Sequence, residues 1–336
     1  MAQVNDSQGR RERLCPECGE RVSRREFVQR AAAAGLAAAG SGWVLGQTAR
    51  AAPTPQSAAE SAVARLYQSL STEQRQVICF PFDHPLRQRI SANWAITEPT
   101  IGKFFSNEQQ ALIDEIFRGV TSEDGYERFL RQMDEDAGGF ARYHVAIFGE
   151  PGSGKFEFEM TGRHLTIRAD GDSVEGAAFG GPIIYGHGTG DSEPGLPGNL
   201  FYYQTLKANE LFQALDGQQR EKALLPNAPR ENDVAIQGPQ GTFPGLALGE
   251  LSADQQALAE EVIRVVLAPY RQEDVDEALH ILKTTQGLQK LHLAYYKTDD
   301  IGDDQVWDIW RLEGPYFVWH FRGAPHVHAY VNIGIV

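Results

Sequence analysis

The chain has 336 residues, 42% of them hydrophobic, and a formal net charge of −14 at pH 7. Residues 1–51 carry eight Arg and five acidic side chains, a net +3, so the remainder carries about −17. A surface that acidic repels phosphate backbones and anionic membranes, which argues against nucleic acid as a partner, while the length suffices for one large core or two small ones.

The first segment reads as an address. Ser23-Arg24-Arg25-Glu26-Phe27-Val28 precedes a Gly/Ala-rich run from Ala31 to Gly46, and Ala49-Arg50-Ala51 supplies a small-x-small cleavage pattern. That order is the pattern of a twin-arginine export signal. The run is short and Gly-broken beside the roughly 20 apolar residues a spanning helix needs, so no stable membrane anchor is expected after cleavage. The sequence thus predicts a periplasmic or extracellular protein whose partner during export is the twin-arginine translocase. Cys15 and Cys18 leave with the signal, and Cys79 is then alone, so no intrachain disulfide can form.

Residues 52–336 read as a single α+β domain: helical over 60–135, strand-rich over 143–185, helical over 205–285, and stranded over 291–336. Ala62 to Leu70 reads as a short helix, Ser71 to Arg75 as a turn, and the prolines of Cys79-Phe80-Pro81-Phe82-Asp83-His84-Pro85 exclude a helix there and make His84 a turn residue. Ser106-Asn107-Glu108-Gln109 is a capping box opening a helix with Leu112, Ile113, Ile116 and Phe117; a second helix carries Tyr126, Phe129, Leu130 and Met133. The period then becomes two. Tyr143–Phe148, Lys155–Met160, Leu165–Arg168 and Ser173–Glu175 predict an antiparallel meander joined by Gly-rich turns. Gly149-Glu150-Pro151-Gly152-Ser153-Gly154-Lys155 imitates a phosphate-cradling loop, but Phe156 stands where a Ser or Thr would hold magnesium and a strand follows where a helix should start, so no nucleotide is expected.

Gly180 to Gly190 looks too Gly-rich for regular structure and reads as a loop that can carry His187 toward a site or lie on the surface. Helices resume at Thr205–Leu215, at Ser252–Leu267 behind a Ser252/Gln255 capping box, and at Asp274–Thr284. His280 and His292, amid apolar neighbours, read as packed. Strands return at Leu291–Tyr296 and Val306–Leu312, turned by Asp299–Asp304, and lead into a C-terminal hairpin from Gly314 to Ile333 turned at Arg322–Pro325. Side chains alternate across a strand, so His326 and His328 share one face. Two neutral imidazoles so placed are a common start to a transition-metal site.

Several stretches together resemble a bacterial family known as domain of unknown function 3500. They are Phe80-Pro81-Phe82-Asp83 with Trp94, the helical hairpin with Leu112 and Gly125-Tyr126, the Tyr143-to-Gly149 strand, Gly162-Arg163-His164-Leu165 with Thr166-Ile167, and Gly314-Pro315 leading to His326-Val327-His328. The resemblance spans nearly all of the chain beyond the signal and implies an exported protein of this fold, with no activity attached. It also implies that His164 belongs to the same domain as His326 and His328, and three imidazoles with an open fourth position is the pattern of catalytic zinc or of copper and iron sites. His187, Glu157 or Glu159 are the candidates for that fourth position; a solvated strand face is the plainer reading of the glutamates.

The expected function is therefore binding of zinc, copper or iron through His164, His326, His328 and His187, in a metal-dependent hydrolase or oxidoreductase acting on an unidentified small molecule. The alternative is a non-enzymatic binding module whose Trp307, Trp310, Tyr316 and Trp319 line an aromatic cleft. For the export reading, replacing Arg24 and Arg25 together by Lys should leave folded precursor in the cytoplasm; fractionation showing the double variant exported as well as wild type would refute it.

Overall fold

The computed structural model describes residues 52–188, 199–285, 287–298, 300, 306–323 and 326–335. The twin-arginine segment and most of the turns expected at 299–304 and 322–325 lie outside the described residues.

The chain begins with α1 (Ala58–Ser69), α2 (Thr72–Ile78), β1 (Cys79–Phe80), α3 (Ile101–Phe104), α4 (Asn107–Val120) and α5 (Glu123–Ala137). A meander follows of β2 (His144–Gly149), β3 (Phe156–Gly162), β4 (Leu165–Ala169) and β5 (Ile183–His187). Then come α6 (Tyr202–Ala214), α7 (Gly217–Ala223), β6 (Leu224–Leu225), β7 (Leu246–Ala247), α8 (Ala253–Leu267) and α9 (Gln272–Thr285), and last β8 (His292–Tyr296), β9 (Ile309–Gly314), β10 (Phe317–Arg322) and β11 (Val327–Ile333). The capping boxes at Ser106/Gln109 and Ser252/Gln255 both form, and a third at Ser71/Gln74 makes α2 a helix where the sequence suggested only a turn.

Among the described residues the strands form one 11-stranded sheet in the order β1-β2-β3-β4-β5-β11-β10-β9-β8-β6, with β7 also on β8. All pairs are antiparallel except β1 with β2 and β6 with β8, so the fold is α+β. The phosphate-loop lookalike closes the β2–β3 hairpin, where the Glu150 N–H donates to the Lys155 carbonyl (3.0 Å). Two strand assignments differ. Ser173–Glu175 is a turn, because the Asp170 carboxylate accepts from the Val174 N–H (2.9 Å) and its carbonyl from Ser173, which satisfies the backbone locally. Ile183–His187, expected as an irregular loop, is the fully buried strand at the middle of the sheet, since Ile183, Ile184 and Tyr185 outweigh the glycines around them.

The two faces of the sheet differ. Ile147, Phe158, Ile167, Tyr185, Ala329, Trp319 and Leu312 belong to one core with the helices. Trp310 and Trp319 are 0% exposed there, Trp310 stacked on Phe321, so the expected aromatic cleft is part of the core instead. Trp307 is half-buried against the same core. The other face is covered by two irregular segments, 81–97 and 226–243, through Trp94, Ile96, Ala92, Val234 and Ile236. Trp94 Nε1 donates to Thr166 (3.1 Å) and Asn332 to the Val234 carbonyl (2.9 Å). This face carries the polar residues. Glu157 and Glu159, read as solvated, are 0% exposed and ion-paired to Arg168, which loop 81–97 seals over with the help of Arg87.

A second buried charge group ties the ends of the helical layer. Arg271 pairs with Glu60 of α1 (2.7 Å) and Asp274 of α9 (2.9 Å). Burial, added to by neighbouring carboxylates, pushes Asp170 up to about 6, Asp274 to about 7 and Glu277 to about 8. The folded state therefore holds protons on these three groups that the unfolded chain, with carboxyls near 4, releases, so the stability they contribute is lost as pH rises from about 4 to about 8. Glu277→Gln should flatten that fall and raise the melting temperature at pH 8; a variant whose melting temperature tracks wild type from pH 5 to pH 8 would contradict it.

Candidate metal centre

The tight β3–β4 connection places the first imidazole. Gly162 pairs with Leu165, so Arg163 and His164 alone make the turn, and His164 adopts a left-handed φ of 56°. That region is sparsely populated by non-glycine residues and is tolerated where the surroundings hold it. Here the His164 N–H donates to the Ala92 carbonyl (2.6 Å), and the Arg163 carbonyl accepts from Tyr143 (2.7 Å) and Gln132 (3.0 Å).

His326 and His328 come from the start of β11. As the alternation requires, both rings lie on the loop-covered face, 4.7 Å apart between centroids, and the His164 ring sits 5.0 Å from one and 4.8 Å from the other. One nitrogen from each of the three falls within 4.8 Å of the others, and this is the group among the described residues that can hold a metal ion. His164 is buried, whereas His326 and His328 are partly open to solvent.

Carboxylates fix two of the rings. His164 Nδ1 lies 2.8 Å from Asp136, at the end of α5, which also accepts from Gln132 (2.8 Å) and the Gly188 N–H (2.8 Å). His328 Nδ1 lies 3.0 Å from Glu231 in the 226–243 segment, and Tyr330 donates to the same carboxylate (3.1 Å). Burial disfavours the charge on both acids, but hydrogen bonds and charge win: His164, Gln132 and Gly188 hold Asp136 below its usual range, and His328, Arg322 and Tyr330 hold Glu231 at about 2. Both are ionised at neutral pH and can only accept, so each Nδ1 carries the proton and each Nε2 presents a lone pair. Burial, with Arg322 nearby and Glu231 opposing, lowers His328 and keeps it a neutral imidazole.

The two Nε2 atoms of His326 and His328 are 3.0 Å apart, and Arg322 Nη2 is 3.3 Å from that of His326. Four-coordinate ligands about 2.0–2.1 Å from one ion lie about 3.3 Å from each other, so the pair already has the spacing of shared coordination.

His187 is placed apart from the three. It pairs in register with Val327, and cross-strand partners share a face, so its ring points to the helix side, away from His328. There it is fully buried, with Nε2 2.7 Å from Glu135 and Nδ1 accepting from the Leu200 N–H (3.2 Å). Glu157 and Glu159 are taken up by Arg168. His84 caps a short turn through its own ring, His280 is exposed because it falls off the buried stripe of α9, and His292 is half-buried against Phe243. Asp136 and Glu231 escaped sequence reading, one inside an acidic helix end and the other in a segment without periodicity.

The family described as "Protein of unknown function (DUF3500)" matches residues 52–331. No curated protein and no solved structure matches the chain.

The site depends on how closely β5 and β11 approach. A Cβ on Gly186 would come within 2.2 Å of the Val327 carbonyl oxygen and 3.2 Å of the His164 side chain. Gly186→Ala should cost about 2 kcal/mol of stability by forcing backbone apart, read as a lower urea midpoint; an unchanged midpoint would show that the strands part without strain.

Proposed function

The chain belongs to the DUF3500 family, whose description assigns no activity, and we propose that its function is set by the histidine centre: it binds a transition metal through His164, His326 and His328. The observation that carries this is the approach of the His326 and His328 Nε2 atoms to 3.0 Å beside the His164 ring, while ionised carboxylates accept from Nδ1 of His164 and His328. Lone pairs at that distance repel unless a proton or a cation lies between them. A proton on His326 Nε2 or a shared cation would each fill that gap, and both leave the Nδ1 partners of His164 and His328 in place; the third ring, His164, beside the pair favours the cation.

Three neutral imidazoles suit zinc best, with copper and iron as competitors. With three protein ligands and a partly open side, the centre has the form of a catalytic site, which we read as that of a metal-dependent hydrolase, with oxidoreductase chemistry following if the ion is copper or iron. When bound, such an ion polarises a carbonyl or lowers the pKa of a coordinated water. The chain's own residues orient the ligands: Asp136 holds His164, Glu231 holds His328, and Arg322 balances the charge of Glu231 (3.4 Å). With a pKa of about 2, Glu231 is too weak a base to take a proton at neutral pH and serves as an orienting residue. Among the described residues no helix is long and apolar enough to cross a membrane. We place this activity outside the cytoplasm on the strength of the twin-arginine segment.

In protein purified without chelator, replacing His326 and His328 together by Ala should abolish bound metal by elemental analysis, whereas His292→Ala retains it. Asp136→Asn should weaken metal affinity about 10- to 100-fold with the ligands intact. Zinc at about 100 times its dissociation constant should stabilise wild type by about 2.7 kcal/mol and leave the double variant unmoved. Wild type that holds no stoichiometric metal and gains none from added zinc, copper or iron would overturn the proposal.

A further inference from the structure

Next to the histidine centre, on the same face of the sheet, lies a group of buried polar side chains for which the centre has no use. His320 on β10 and Arg311 on β9 are direct register partners. Tyr296 on β8 sits two residues from Ala294, the register partner of Arg311, and so lies diagonally from it on that face. Arg322, two residues from His320, is the register partner of His328. The row therefore runs without a break from the metal ligands through Arg322 to His320, Arg311 and Tyr296.

Arg311, His320 and Tyr296 are buried, Arg322 is partly open, and each keeps a polar atom unused. His320 is 1% exposed, Tyr296 1% and Arg311 4%, yet His320 Nδ1, the Tyr296 hydroxyl, Arg311 Nη1 and Arg322 Nε have no hydrogen-bond partner. Isolated orphans of this kind are uncommon, and several together on one patch call for a common explanation. Arg311 Nη2 donates to the Asp233 carbonyl and to Glu313 (3.2 Å), which is held in turn by Gln237 (2.8 Å), while Nε faces Glu313 at 2.9 Å as an ion pair without a hydrogen bond. Burial, with the Arg311 charge beside it, pushes His320 down to about 3, so its imidazole is neutral. Burial pushes the Tyr296 phenol up to about 12, with Arg311 opposing and Glu313 adding.

We infer that Arg311, His320 and Tyr296 form a carboxylate-binding subsite beside the histidine centre, so that the substrate is a small molecule bearing a carboxylate group. The three residues stand on one face of three adjacent strands, and a carboxylate offers about four lone-pair positions to receive their donors. One guanidinium already paired with Glu313, one neutral imidazole and one phenol match a single negative charge better than the two of a phosphate dianion. Arg322 stands between subsite and centre, so an anion held by Arg311 has its reacting group near the imidazoles. As a statement about substrate the inference rests on the metal reading; as a statement about an anion site it does not.

The test uses the chain without its signal, metal-free after chelation and again zinc-loaded, titrated calorimetrically with acetate and separately with inorganic phosphate. Acetate should bind the metal-free protein, and more tightly than phosphate at pH 7. Tyr296→Phe, which removes only the hydroxyl, should weaken acetate about tenfold while metal content and melting temperature stay at wild-type values. Arg311→Lys, which keeps the charge and loses the fork, should weaken it further. Acetate binding seen only with zinc present, or unchanged in Tyr296→Phe, would overturn the subsite, and tighter binding of phosphate would overturn the assignment to carboxylates. Tyrosine-dependent acetate binding in a protein that takes no metal would uphold the subsite while the metal reading falls.

Discussion

The pairing of β5 with β11 is the contact on which the rest of the structure depends. It joins the meander β1 to β5 to the strands built from the last third of the chain, residues about 140 positions apart in sequence, through the register Val331–Ile183 to Val327–His187. Without it, His164 on one side and His326 with His328 on the other would have no reason to meet. Gly186 permits it, because Val327 passes over a backbone that has no Cβ in the way. The same register that brings His328 to the centre turns His187 to the opposite face, so one strand pairing both assembles the three-histidine group and excludes the fourth histidine from it.

The unusual feature of the sheet is that its second face is buried and polar. Helices cover the first face with an ordinary hydrophobic core, while the second is roofed by segments 81–97 and 226–243, which hold no α-helix or strand and only a 3-10 turn at Pro85–Gln88. Roofs of this kind cannot satisfy their backbone groups by themselves, and strand side chains such as Thr161 and Asn332 supply partners, while Thr166 accepts from the Trp94 indole. Polar groups closed under such a roof are expensive unless paired, and the Arg168 group with Glu157 and Glu159 shows the pairing done internally. The Arg168 group still leaves Arg168 Nη2 and Glu159 Oε2 without partners, and the row from Arg322 to Tyr296 leaves an orphaned polar atom on each of its four members.

Much of this was legible in the sequence, for physical reasons that also mark where it stops. Capping boxes at Ser106 and Ser252 depend on local spacing and form as read; the shared face of His326 and His328 follows from strand alternation. The α+β architecture follows from runs of period two between helical blocks. What was misread depends on partners distant in sequence. Glu157 and Glu159 alternate as a solvated face would, and only Arg168 and the 81–97 roof make that face interior. Trp310 and Trp319 looked like a cleft because aromatic alternation does not say which face a sheet buries. The Gly180–Gly190 stretch looked irregular because glycine lowers strand propensity, yet close packing between central strands is one of the situations that selects it. His320 and Arg322 alternate with Trp319 and Phe321, a signal that could have flagged the subsite.

The central claim is that three imidazoles, from a strained turn and one strand start, share one ion. X-ray absorption at the metal edge of purified protein tests it most directly. Three nitrogen ligands at about 2.0–2.1 Å with imidazole outer-shell scattering, completed by one oxygen ligand, are the expected first shell. A spectrum dominated by oxygen ligands, one with fewer than three imidazoles, or no metal edge at all would contradict it.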